Sequence, residues 1–410
     1  MRVLILHNRY RQHGGEDAVA EAETDLLRSR GVEVLRLDAD NDADPRVDLK
    51  GALGLALNSH WSNESYRGVR EICREFRPDI AHVHNFWLRL TPSVHAACHD
   101  AGVPTVQTLH NYRLFCASAQ FHRDGHRCED CLGRVPWRGV VRRCYKDSFL
   151  ASAAAARMIV SNRMRGTWTN GVDMFIALSE HSRRLFVEGG IPDERIRIKP
   201  NFVTDAVRNR IPPSRSADFL CVGRLSEEKG VDRLLFAWAA AALPAPARLL
   251  VVGDGPERAK LEQQAAQLGI SPTVFFLGSR PLAEVLPLYG RARAVALFSL
   301  FHECFPRTLV EAMSAARPVV ASNAAGLDEL VSSDIGLQFD PQDTPACAHA
   351  LRRIYNEPDL ADSMGSAARA RYLRHYTPDR NFQMLMDIYQ SAMGRDVRVP
   401  ELALVGGGVR

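Results

Sequence analysis

Nowhere in its 410 residues does the chain hold the roughly 18 consecutive apolar residues of a membrane span. Its opening, MRVLILHNRY, carries an apolar run too short for a signal peptide and reads as a first buried strand. A cytoplasmic location is therefore expected. A strong charge excess is also missing. The formal net charge of +4 is too small to argue for nucleic acid, and no nucleic-acid partner is expected. It does suit an anionic ligand or an anionic membrane surface. Five of the nine cysteines, Cys73, Cys98, Cys221, Cys304 and Cys347, are scattered, as free buried thiols are in a reducing compartment.

What is present fits a globular enzyme: 46% hydrophobic and 24% charged residues. The length exceeds one ordinary core, so two domains are expected. Apolar runs and helical segments alternate from "VLIL" to "PTVQTLHN", the rhythm of a doubly wound parallel sheet. It stops between Cys116 and Cys144, where an insertion (about 116–146) is expected. A long Ala-rich helix, "DSFLASAAAARMIVSNRMRGTW", follows. "RNRIPPSRSAD", Arg208 to Asp218, is the best linker. Beyond it "FLCVG", "RLLVVG", "TVFFLG", "AVALFS", "PVVAS" and "GLQFD" form a second Rossmann-like sheet. The expected domains are 1–207 and 218–377, with a helix at 378–393 and a frayed tail from Gly394. Two facing sheets leave a cleft at the carboxyl ends of their strands.

Three motifs fall at those ends. "FLCVGRLSEEKGVDRLL" puts Gly223 and Arg224 after a strand, and Lys229 and Gly230 before a helix. Glycines, helix amides and two cations make a diphosphate cradle. Read alone it is equally a solvated loop capped by Ser226. "VVGDGP", with Gly253 and Gly255, is by itself only a tight turn capped by Asp254. "FHECFPRTLVEA" places Glu303 before a helix that Pro306 opens, and Glu311 within it. Eight residues of helix span about 12 Å, wider than the ~5 to 9.5 Å of hydrolytic carboxylate pairs. The spacing suits two acceptors on different hydroxyls of one extended ligand. The competing reading is a glutamate favoured by the helix dipole plus a surface glutamate.

In order, "GRLSEEKG", "VVGDGP", "HECFPRTLVEAMSAARPVVAS" and "AAGLDELV" resemble the motif series of the retaining glycosyltransferases of family 4. The resemblance runs from about Arg2 to Ala392. It implies a GT-B fold, two Rossmann-like domains facing a cleft, with the last helix crossing back to the N-terminal domain. It implies a nucleotide-diphosphate sugar donor, UDP- or GDP-linked, and a glycan or lipid-linked acceptor in bacterial surface polysaccharide or glycolipid assembly. Arg224 and Lys229 would hold the diphosphate, Glu311 the ribose and Glu303 the sugar hydroxyls. Backbone at Cys304 and Phe305 would flank sugar and phosphate. Gly14 and Gly15 would close over the donor phosphate, and His110 would face the sugar from the other domain. Cys304, His302 and "AAG" (Ala324 to Gly326) depart from the usual pattern and bear on sugar identity.

No carboxylate stands where a nucleophile would. Same-face transfer is therefore favoured, as the resemblance implies, with the donor phosphate taking the acceptor proton. Two cations serve the leaving group, so no catalytic metal is expected. "DADNDAD", with Asp38 and Asp40, reads as a solvated loop. His82 and His84, two apart, share one strand face. His82 reads as a buried structural histidine, His84 and Asn85 as cleft residues, and His110 as catalytic. A nucleotide-sugar epimerase of similar fold is the alternative activity; a non-catalytic sugar binder fits the intact Arg224, Lys229, Glu303 and Glu311 less well.

Cys116, Cys128, Cys131 and Cys144 follow C-x11-C-x2-C-x12-C. A C-x2-C knuckle before Gly133 plus two distant cysteines is a structural zinc pattern; free thiols are the simpler alternative. The residues around it mix cations (Arg134, Arg138, Arg142, Arg143, Lys146, Arg163, Arg165) with apolar side chains (Trp137, Phe149, Leu150, Met158, Ile159, Trp168). Such a surface suits an anionic membrane face, or a helix packed on its own domain with solvated arginines.

Overall fold

The computed structural model describes residues 1–10, 14–40, 54, 58–324 and 326–394. The expected tail beyond Gly394, Ala325 and most of the "DADNDAD" run lie outside the described residues.

Fourteen strands are described. β1 (Arg2–Arg9), β2 (Glu33–Asp40), β3 (Ile80–Asn85), β4 (Thr105–Thr108), β7 (Met174–Ala177) and β8 (Ile196–Ile198) form one sheet. Its order is β2-β1-β3-β4-β7-β8, every pair parallel. β9 (Asp218–Val222), β10 (Arg248–Val252), β11 (Val274–Gly278), β12 (Ala294–Leu297), β13 (Val319–Ser322) and β14 (Gly336–Phe339) form the second. Its order is β11-β10-β9-β12-β13-β14, again all parallel. β5 (His122–Arg123) and β6 (His126–Arg127) make a small antiparallel hairpin. Two doubly wound parallel sheets are the GT-B architecture.

Val3 to Leu6 are fully buried, because helices cover both faces of a central parallel strand. In each sheet the strand order reverses beside its first strand, at β1/β3 and β9/β12. The crevices that take ligands in such sheets open there.

The linker is fastened. Arg317, 1% exposed, donates to the Ile211 and Ala292 carbonyls, both at 2.6 Å. Buried Arg293 donates to Ser214 and Ile354 carbonyls at 2.9 and 2.8 Å. Guanidinium donors satisfy the carbonyls that an irregular segment leaves open.

Helix Pro378–Ala392 lies against the first sheet. The Tyr389 hydroxyl meets His82 Nδ1 at 2.8 Å, and Asn381 donates to the Pro200 carbonyl at 2.8 Å. A fully buried Lys199–Glu23 ion pair sits beside Asn381.

The expected long helix runs Phe149–Met164, capped by Ser148, and breaks before a short turn Thr167–Asn170. Met158 and Ile159 are fully buried, and Trp168 stacks on Phe86. These three were expected on the basic surface and belong instead to the core.

Candidate active site

The loops after β9 and β12 flank the second switch point and are tied together. Leu300 N–H donates to the Glu228 carbonyl at 2.8 Å. Gly230 has φ +62, and a Cβ there would lie 2.1 Å from the Phe298 carbonyl oxygen, so only glycine lets the loops meet. Lys229 Nζ then reaches Glu303 Oε1 at 2.6 Å and sits 4.7 Å over the Phe301 ring. Ser299 Oγ donates to the same carboxylate oxygen at 2.7 Å.

Arg224 is exposed on the same loop, free to meet an anion. Gly253 packs against the neighbouring strand end: its Cβ would lie 1.8 Å from the Gly223 carbonyl oxygen. This is a packing reason for that glycine which its sequence motif did not reveal. Helix Val231–Ala241 begins directly after Gly230, with no side chain capping its first amides.

Glu311 is buried within helix Arg307–Ser314. Tyr289, fully buried on helix Leu282–Arg291, donates its hydroxyl to Glu311 Oε2 at 2.8 Å. Arg307 approaches Oε1 at 3.5 Å. Glu303 and Glu311 thus have separate partners and share no hydrogen bond. Sequence reasoning missed Tyr289, since nothing in "VLPLYGR" signals a carboxylate partner. The thiol of buried Cys304 is pushed well above its ordinary range by burial, so it stays neutral beside Glu303. Phe305 packs against Tyr376, ring centroids 5.7 Å apart and tilted by 52°.

The facing site grows from the first sheet. His110 follows β4 and stacks on His84, rings 5.3 Å apart and 19° from parallel. Its Nε2 lies 3.1 Å from His84 Nδ1. Burial pushes the His110 pKa down to about 3, so the imidazole is neutral at physiological pH. His84 is 2% exposed and stands behind His110, 3.5 Å from Glu23. Asn85 donates to the Asn8 carbonyl and accepts from Trp87 N–H. The expected cleft roles of His84 and Asn85 are corrected: both side chains are buried supports. His82 is the structural histidine expected, with both ring nitrogens bonded, to Tyr389 and Thr108.

Gly14 precedes helix Gly15–Ser29, and its N–H donates to Asp17 Oδ2 at 2.8 Å. Burial raises the Asp17 pKa, but hydrogen bonds from His7 and Gly14 outweigh it and hold the carboxylate below its usual range. A Cβ at Gly15 would meet nothing within 4 Å among the described residues. Asn111, next to His110, donates to Glu16 Oε1 at 2.5 Å.

Contacts also cross between the sheets. His302 stacks on His181, 5.2 Å apart and 8° from parallel. The Glu180 and His181 amides, at the start of helix Glu180–Glu188, donate to the Glu329 carboxylate at 2.7 Å each. His302 is buried and His181 half-buried, and His181 Nε2 lies 3.0 Å from His302 Nδ1, so His302 serves a cross-domain contact.

Family models match both halves of the chain. The Glycosyltransferase Family 4 model matches residues 14–207, and the Glycosyl transferases group 1 model matches residues 204–371. The chain belongs to glycosyltransferase family 4, group 1. Among family relatives, it is 28% identical over 309 residues to a glycogen synthase of Mycobacterium tuberculosis, covering 73% of this chain and 65% of that one. It is 36% identical over 138 residues to a GDP-mannose-dependent alpha-(1-6)-phosphatidylinositol dimannoside mannosyltransferase of the same species, covering 33% and 35%. The chain thus spans less than two thirds of the length of these relatives. The fold matches Anabaena HepE, solved in complex with UDP, at a TM-score of 0.66 and 20% identity over 95% of this chain and 100% of that one.

Proposed function

We propose that this family 4 protein is a retaining glycosyltransferase. It moves a sugar from a nucleotide-diphosphate sugar to a glycan or lipid-linked acceptor in bacterial cell-surface polysaccharide or glycolipid assembly. The observation that carries this reading is the Lys229–Glu303 pair at the β9/β12 switch point, with Arg224 exposed on the same loop as Lys229. The UDP in HepE and the GDP-mannose in the mannosyltransferase's name support a nucleotide-sugar donor.

The chemistry follows from the groups present. The acceptor oxygen bonds to the anomeric carbon on the face that the diphosphate leaves. The anomeric carbon–phosphate oxygen bond breaks, and the acceptor's proton passes to the departing diphosphate. Configuration is retained without a protein nucleophile. Arg224, Lys229 and the helix amides after Gly230 stabilise the leaving charge, a preorganised electrostatic term. These two cations answer the charge that a catalytic metal would otherwise answer. Glu303 holds sugar hydroxyls, Glu311 the ribose, and neutral His110 faces the sugar from the other domain. Gly14 and Gly15, at the start of their helix, would close over the donor phosphate.

The acceptor is read as lipid-borne from one surface. Val135, Trp137, Val141, Phe149, Leu150 and Met164 are all exposed, interspersed with exposed Arg142, Arg143 and Lys146. Apolar side chains ringed by cations fit an anionic bilayer surface. No helix among the described residues is long and apolar enough to cross a membrane, so contact would be peripheral.

The deciding experiment is a thermal-shift screen with UDP-, GDP- and ADP-sugars, followed by NMR of the product's anomeric centre. One donor should raise the melting temperature by mass action, and the product should keep the donor's anomeric configuration. Inverted product sinks the mechanism. Interconversion of free nucleotide sugars without acceptor would make the protein an epimerase.

A further inference from the structure

Four thiols drawn from a stretch of 29 residues face one small cavity. Cys116, Cys128, Cys131 and Cys144 line a space of about 20 Å³, room for one atom-sized guest. No disulfide joins them. Gly139 packs tightly here: a Cβ would lie 3.3 Å from Ala117 Cβ and 3.7 Å from Cys131 Sγ. The stretch has little regular structure of its own, a two-residue hairpin and the five-residue helix Trp137–Val141. Segments that short need a staple besides apolar burial.

We propose that the four thiols, deprotonated, bind one structural zinc ion, and that the ion fastens this segment across the Lys229–Glu303 loops. Four thiolates fill the tetrahedral positions of zinc. Each thiol releases its proton on binding, and the Zn(Cys)₄ centre carries a net charge of −2. Cations stand ready for that charge. The Arg123 guanidinium lies 3.8 Å from Cys144 Sγ. Arg138 and Arg142 line the same cavity, held by Asp130 at 3.3 and 2.5 Å. With all four positions taken by sulfur, no site is left for substrate, so the role is structural.

A second cluster offers metal-type ligands among the described residues, Glu23, His82 and His84, whose ligand atoms lie within 4.8 Å of one another. It is already occupied by protein: Lys199 ion-pairs Glu23, and both His82 nitrogens are hydrogen-bonded. The thiols are not grouped that tightly, so binding would draw the sulfurs inward to about 2.3 Å from zinc.

Side-chain contacts connect the cysteine segment to the facing domain, including Phe121 edge-on to His302 at 6.1 Å. Gln120 Nε2 donates to Glu228 Oε1 at 3.2 Å, and Glu129 Oε1 lies 2.9 Å from His302 Nε2. Glu228 adjoins Lys229, and His302 adjoins Glu303. One ion thus holds a strap that touches both loops of the pair. Calling those loops the donor site rests on the reading above; the zinc claim does not.

Metal analysis of the full-length protein, purified under reducing conditions, should find about one zinc per chain. C128S and C131S should each lose most of it. Should those variants fail to fold, wild-type protein exchanged into cobalt(II) gives the second readout: thiolate-to-cobalt charge-transfer bands and tetrahedral d–d bands. Zinc far below one per chain, with no cobalt–thiolate bands on reconstitution, overturns the site. Hydrogen exchange tests the strap without any activity measurement. Chelation should speed exchange at residues 118–132 and also at 226–229 and 300–304. A rise confined to 118–132 overturns the fastening.

Discussion

Lys229 and Glu303 come from different loops, one after β9 and one after β12, and meet at 2.6 Å. The pair spans the switch point at which the two strands diverge. Without donor, each group neutralises the other. In the proposed reading a diphosphate would compete for Lys229 and free Glu303 for sugar hydroxyls. K229A should therefore lower kcat/KM by about 10²–10³-fold, the usual loss for a group that stabilises developing charge. E303Q should lose activity while keeping the Ser299 contact and the fold. Steady-state kinetics with the identified donor checks both; a K229A enzyme within threefold of wild type sinks the leaving-group role.

In the proposed reading Glu311, held by Tyr289, makes the second end of the site. E311A should raise the donor KM. It also strands a buried hydroxyl, at a stability cost of about 1–3 kcal/mol. Y289F removes the hydroxyl and leaves buried Glu311 Oε2 without that donor, so it should also lower stability, while Glu311 stays in place for the ribose. Isothermal titration with the free nucleoside diphosphate separates the two: binding should weaken in E311A and persist in Y289F.

Much of this was legible in the sequence. Alternating apolar runs marked both sheets, and the motif loops fell at strand ends because parallel strands are buried and the turns after them carry polar chemistry. Glu303, Glu311 and Lys229 stood out by order and spacing. Tyr289 and the Arg293 and Arg317 clamps did not, since their partners are carbonyls or carboxylates far along the chain. His84 looked like a cleft residue because strand periodicity gives a face, not a depth; the His110 ring covers it. Met158, Ile159 and Trp168 joined the basic surface on paper because helix residues near cations look alike until the neighbouring strand is placed.

Glycines sort by what a methyl group would meet. G230A would place its Cβ 2.1 Å from the Phe298 carbonyl oxygen at a positive φ, and G253A 1.8 Å from the Gly223 carbonyl oxygen. Both should be destabilised by several kcal/mol or fail to fold. G15A has open space within 4 Å and should melt like wild type, yet weaken donor binding by crowding the helix end. Thermal melts with and without nucleoside diphosphate check the contrast. Unchanged binding in G15A would remove that helix end from the site.

Buried neutral histidines set an acid limit. Burial pushes His181 and His302 down to about 4 and His110 to about 3. In the unfolded chain they take protons near pH ~6.5. Between that value and about 4 the unfolded state binds more protons, so stability is full above ~6.5 and falls on acidification, by at most ~1.4 kcal/mol per pH unit for each histidine. Urea midpoints should drop from pH 7.5 to pH 5. H302Q should flatten the slope, since His302 faces His181 and Glu129 and loses its titration. A midpoint that holds or rises at pH 5 contradicts this.

The exposed apolar face should direct the protein to anionic bilayers. Trp137, Phe149 and Leu150 sit on two neighbouring helices with Arg142, Arg143 and Lys146 around them. Each inserted side chain contributes in proportion to its buried apolar area, and each cation adds about 1 kcal/mol near an anionic surface. Wild type should cosediment with vesicles of phosphatidylglycerol and phosphatidylethanolamine, less so as salt rises, and hardly with phosphatidylcholine. The W137S/F149S/L150S variant should stay in the supernatant, yet keep its melting temperature, because these side chains contribute little to the core. R142E/R143E should lose binding while keeping the apolar face. If neither variant changes cosedimentation, the surface is not the membrane contact, and a water-soluble glycan becomes the better acceptor.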